Sequence, residues 1–151
     1  MRKLILSLLA VAVLGAGSAF AQSGLWVGVS SGWPGFAVHL GVEDVIADLD
    51  VRVNVNSTYG FAFGVGADVL YDLDADLGAL PLDPYVGGGL NLIFVPGAVG
   101  VSVGAFGGIE YRLGELGLPE GGVFLEIGPD LLVVPAFVFG INARLGFNYY
   151  F

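Results

Sequence analysis

The 151-residue sequence has no cysteine, which excludes a disulfide scaffold and a cysteine-anchored lipoprotein. Basic residues are scarce: five Lys and Arg stand against 14 Asp and Glu, a net charge of −9. Arg2 and Lys3 open the chain, so past residue 21 only Arg52, Arg112 and Arg144 face the full set of acids. A chain this acidic has no basic footprint for nucleic acid, and that class of partner is excluded. Long apolar runs are also missing past Gln22; none approaches the roughly 20 residues of a membrane-spanning helix. No cofactor-binding motif is present, and no cofactor is expected.

What is present is apolar and rich in glycine. Hydrophobic residues make up 56% of the chain, and 26 residues are glycine. Met1-Arg2-Lys3, the apolar and small residues from Leu4 to Gly17, and Ala19-Phe20-Ala21 form the three regions of a secretory signal peptide. Cleavage is expected after Ala21, leaving residues 22–151 as one domain. So apolar a remainder, without spanning helices, must bury more than a small domain can or face lipid along strands. In hydrocarbon only helices and closed barrels satisfy every backbone N–H and C=O. The expected fold is therefore all-β, an antiparallel up-and-down transmembrane β-barrel.

The apolar period supports strands. Leu49, Val51, Val53 and Val55 alternate with Asp50, Arg52, Asn54 and Asn56, and the same stripe recurs from Phe61 to Tyr71 and from Phe137 to Phe151. Turn residues at Trp33-Pro34-Gly35, Asn56 to Gly60, Pro96-Gly97, Gly114 to Gly122 and Pro135 divide the chain. Eight strands are predicted, near 24–31, 35–43, 48–57, 60–73, 84–94, 98–112, 122–132 and 137–151. Twelve glycines, Gly28, Gly41, Gly64 and Gly146 among them, share the inward parity with Trp26, Tyr85, Phe106, Phe124 and Tyr150. That is the small-and-large alternation a narrow barrel needs. Trp33, Phe36, Tyr59, Phe61, Phe94 and Phe137 gather toward one end and Tyr71, Tyr111, Tyr149 and Phe151 toward the other. Two such girdles suit a lipid-facing barrel; a soluble sandwich with these rings in its core is the alternative.

The three arginines have inward parity. A hairpin centred on Pro135 sets Glu126 opposite Arg144; Glu110 then lies one strand further round with Arg112 beside it, and Arg52 faces Asp68 diagonally. Enclosed charges are costly unless paired, so an interior network of Arg52, Asp68, Glu110, Arg112, Glu126 and Arg144 is expected, serving as a plug or as a gate. His39 is inward but out of register with Ser30, Ser31 and Ser57, which argues against a lipid-modifying triad. Asp72, Asp74, Asp76 and Asp83 have the alternation of a calcium loop, but Leu77 stands where its glycine belongs and the twelfth residue is not Glu. They form a weak metal candidate, with a strand running past the membrane as the alternative.

The chain ends Arg144-x-Gly146-x-x-Tyr149-x-Phe151, which resembles the C-terminal β-signal of bacterial outer-membrane proteins. The resemblance implies recognition by the barrel-assembly machinery and a periplasmic C-terminus. In size and pattern residues 22–151 resemble the small OmpA/OmpX-like barrels, surrounded by outer-membrane lipid. The function expected is a structural role or a narrow conduit, without enzymatic activity. A barrel passing small hydrophobic molecules sideways is the alternative, with a lipid-modifying enzyme behind it. Small barrels place their long loops outside the cell, whereas here the long acidic connections, Glu43 to Asp50, Asp72 to Asp83 and Glu115 to Glu120, fall on the periplasmic side, where they could dock a partner.

Overall fold

The computed structural model describes residues 24–58, 62–75 and 81–151; the expected signal peptide, Tyr59, Phe61 and Asp76 lie outside the described residues. Eight strands follow in order: β1 Leu25–Trp33, β2 Gly35–Ile46, β3 Leu49–Thr58, β4 Ala62–Asp72, β5 Leu82–Val95, β6 Ala98–Arg112, β7 Gly121–Val134 and β8 Val138–Tyr150. Each pairs antiparallel with the next, and β8 pairs with β1 to close the barrel. Phe151 N also donates to Leu25 O at 2.8 Å, extending the closing ladder by one residue. Every strand ends within about three residues of its predicted limit. Helix is confined, among the described residues, to the 3-10 turn Leu113–Leu116 between β6 and β7, ended by Gly117 at φ 85°, a conformation glycine adopts without steric cost.

One end of the barrel, the turn end, carries short hairpins. Pro96-Gly97, with Gly97 at φ 82°, has the residues and geometry of a type II turn. The other end holds the strand ends near both termini and the acidic connections. There the β2–β3 link bulges after Val42, and Asp44 N donates to Asp50 Oδ1 at 2.9 Å.

Polarity is inverted across the sheet. Val38, Leu40, Val53, Val55, Val65, Leu90, Ile127 and Leu145 point outward and are exposed, whereas Arg52, Asn54, Asp68, Glu110, Glu126 and Asn148 are buried. Trp33, Phe36 and Phe137 are exposed at the turn end, and Tyr149 and Phe151 meet at 5.2 Å between centroids at the other.

Four interior rings fit because each faces a glycine. In register, Trp26 lies opposite Gly41, Tyr85 opposite Gly108, Phe106 opposite Gly87 and Phe124 opposite Gly146. A Cβ on any of these glycines would overlap the ring that covers it. The lumen of an eight-stranded barrel is only wide enough for side chains to fill, and four rings fill it by lying flat across missing side chains.

Candidate functional site, a plugged lumen

At mid-height, side chains from β3 through β8 meet in one charged layer. Arg52, 1% exposed, donates from Nη1 and Nη2 to the two Glu126 carboxylate oxygens at 2.7 and 3.3 Å, and from Nε to Asp68 Oδ2 at 2.9 Å. Arg144 Nε donates to the other side of Glu126, and its Nη2 lies 3.6 Å from Asp68. Tyr85 OH donates to Glu126 at 2.8 Å, and Asn54 Nδ2 to Asp68 at 3.2 Å. Phe106 lies against both guanidiniums, 5.3 Å from Arg52 and 5.2 Å from Arg144. Two cations and two anions make the layer formally neutral, which is how charge survives out of water. Among the described residues every buried side-chain nitrogen and oxygen has a partner.

Arg52 and Asp68 are directly opposed in the β3–β4 register, not diagonal as the sequence suggested. Glu126 faces Arg144 as the Pro135 symmetry requires. The expected single network divides in two. Glu110 and Arg112 belong to a second cluster, toward the terminal end, where Glu110 accepts from Tyr150 OH at 2.6 Å and Asn148 Nδ2 at 2.8 Å. Arg112 joins Glu110, Glu43 and Asp83 and stacks 3.6 Å over the Tyr150 ring. Its side chain is 37% exposed, and exposed ion pairs contribute little. Arg112→Ala is accordingly expected to lower stability by less than about 1 kcal/mol, read as a small shift of the urea unfolding midpoint.

His39 sits between the two clusters. Its Nε2 is 2.9 Å from Asn148 Oδ1, and Trp26 and Phe124 flank the ring at 5.3 and 5.6 Å. No serine is hydrogen-bonded to it among the described residues. Tyr85, Asn148, Tyr150 and Glu43 complete the clusters but carry no sequence signal beyond inward parity. Strand register identifies neighbours along the wall, and these contacts cross the lumen.

The plug separates two cavities. One of about 110 Å³ opens toward the turn end, lined by Ser30, Asn54, Asn56, Asn91, Ser102 and Arg144 among others. The other, about 350 Å³, lies toward the terminal end and includes Asp50, Asp72, Asp74, Asp83 and Glu110 in its wall. Of the candidate calcium set, Asp72, Asp74 and Asp83 therefore share a cavity. No group of three or more His, Asp or Glu side chains among the described residues is spaced to hold a metal ion. Of the C-terminal residues, Arg144 enters the plug and Gly146 makes room for Phe124, while Tyr149 and Phe151 face outward.

No family model and no curated protein matches the chain by sequence. Among solved structures, the crystal structure of the N-terminal β-barrel domain of Pseudomonas aeruginosa OprF is similar, with a TM-score of 0.54 at 13% identity over 85% of this chain and 96% of that one. At that identity the likeness is one of fold.

Proposed function

We propose that the chain is a structural integral protein of the outer membrane, a barrel without enzymatic activity whose lumen is closed at mid-height. The inversion of polarity carries this reading: the exposed face is a continuous apolar wall, and the buried face is charged and hydrogen-bonded. In water such an outer face would drive association; in a bilayer it is the low-energy surface, and the closed ladder leaves no edge strand. The fold shared with the OprF barrel domain supports the same surroundings. Outer-membrane lipid then covers the wall, and the barrel-assembly machinery engages Arg144, Gly146, Tyr149 and Phe151. With both strand ends periplasmic, the acidic connections form a periplasmic rim available to a partner.

The detergent-extracted protein is expected in the outer-membrane fraction as a compact band that shifts on boiling. In planar bilayers it is expected to pass no steady current, because the ion pairs of Glu126 span the lumen. A soluble protein without a heat shift would overturn the membrane reading. A steady current would overturn the closed lumen and favour the narrow conduit.

A further inference from the structure

The wall of this barrel is least securely hydrogen-bonded in the middle of the β6–β7 pairing. Register there runs unchanged from Gly104 opposite Asp130 to Gly107 opposite Ile127, with no ladder pairing at Ala105 or Phe106, and the pairing has one register shift, between Val101 and Ser102. Among the described residues, the other strand pairs keep continuous ladders through mid-height. The cause lies in the sequence: Pro129 stands across from Ala105 and has no N–H to donate. Proline is normally confined to edge strands or bulges, and a closed barrel has no edge. The outer surface beside it is bare as well. A Cβ at Gly107 would meet nothing within 4 Å, and one at neighbouring Gly88 would meet only Gly104 O, at 3.2 Å.

Immediately behind this seam lies the 110 Å³ cavity, whose lining takes in Gly104, Ala105 and Phe106 from one strand and Ile127, Pro129 and Asp130 from the other. The cavity is blind, because the plug forms its floor. Ser30, itself 4% exposed, and Asn142 also stand in its wall. Asp130 is held by Ser102 and covers Gly104, and Arg144 is occupied by Glu126 and Asp68. Outside the plug, the wall thus presents a hydroxyl, a carboxamide and the spare lone pairs of a carboxylate. They suit an uncharged head group that donates hydrogen bonds, and an engineered cavity of about 150 Å³ admits a molecule the size of benzene.

We infer that the β6–β7 seam is a lateral portal through which a small neutral amphiphile, a hydroxyl-bearing head on an apolar tail, passes from the bilayer into the cavity above the plug. The head reaches Ser30, Asn142 and Asp130, and the tail lies along the bare shelf at Gly88 and Gly107. The inference rests on the membrane reading above, and its test separates the two.

The chain has no cysteine, so Ser102→Cys places a single thiol inside the cavity beside the seam. In liposomes a membrane-partitioning maleimide is expected to label that thiol faster than a charged, water-soluble one. Decanol dissolved in the bilayer is expected to protect it. Pro129→Val restores the missing N–H and is expected to slow labelling from the lipid about fivefold, the equivalent of one hydrogen bond of about 1 kcal/mol. Hydrogen exchange on the unaltered protein guards against a variant that does not fold: the Ala105 and Gly107 amides, which face the seam, are expected to exchange faster than those of Val53 and Val55. Labelling from the aqueous side alone, no protection by decanol, or seam amides as slow as the rest would overturn the portal. If the protein fails to float with liposomes and shows no heat shift, the membrane reading itself has failed.

Discussion

Glu126→Ala is expected to destabilise the barrel by about 3–5 kcal/mol, the cost of removing one partner from a buried ion pair. Glu126 is 1% exposed and accepts from Arg52, Arg144 and Tyr85. Without it Arg52 and Arg144 share the single carboxylate of Asp68, and one guanidinium charge is left uncompensated out of water. Glu126→Gln keeps the shape and two polar atoms but loses the charge, so a smaller loss is expected. Removing Arg52 as well, in Arg52→Leu with Glu126→Leu, leaves Arg144 with Asp68 as a balanced pair. That double variant is expected to be more stable than Glu126→Ala, because buried pairs are often replaceable by apolar residues. Urea unfolding followed by the heat-shift band measures all three. Losses that simply add across Arg52 and Glu126 would show that the two side chains do not act as a pair.

Phe124→Ala is expected to cost about 3–5 kcal/mol, the range for emptying a buried aromatic site. Phe124 is 1% exposed, lies across Gly146 and meets the edge of His39. Eight paired strands hold the wall in place, so little backbone collapse can fill the space. The reciprocal change, Gly146→Ala, pushes a methyl into the Phe124 ring. Gly146 is also the glycine of the C-terminal pattern that resembles an assembly signal, and refolding into detergent without any cellular machinery separates packing from the proposed recognition. A defect in that refolding assigns Gly146 to packing, whereas normal refolding with failed assembly in cells assigns it to recognition.

The sequence exposes the wall of this barrel better than its contents. Alternation of Leu49 to Asn56 fixes which side chains point inward, because the strand period is two. The Pro135 hairpin is symmetric enough to pair Glu126 with Arg144 from numbering alone. What numbering cannot reach is contact across the lumen. Arg52 and Glu126 are on β3 and β7, and His39 and Asn148 on β2 and β8. Their heights match only after strand tilt and stagger are set by closure. The same limit explains why Arg112 falls outside the central layer: its place on β6 carries it toward the terminal mouth, to Glu43 and Asp83. The ring-over-glycine pairs were half legible, since parity gives the inward set but only register shows that each ring faces its own glycine.

The two ends of the barrel differ in what they would cost to move through hydrocarbon. Trp33-Pro34, Pro96-Gly97 and Pro135-Ala136 carry no ionisable side chain, while the opposite end gathers most of the carboxylates outside the plug. Charged groups dominate the energy of entering a bilayer. A barrel inserting from the periplasm therefore has a natural leading edge, the bare hairpins. On the membrane reading proposed above, the carboxylate-rich end would act as a stop, holding the protein at one depth and in one orientation.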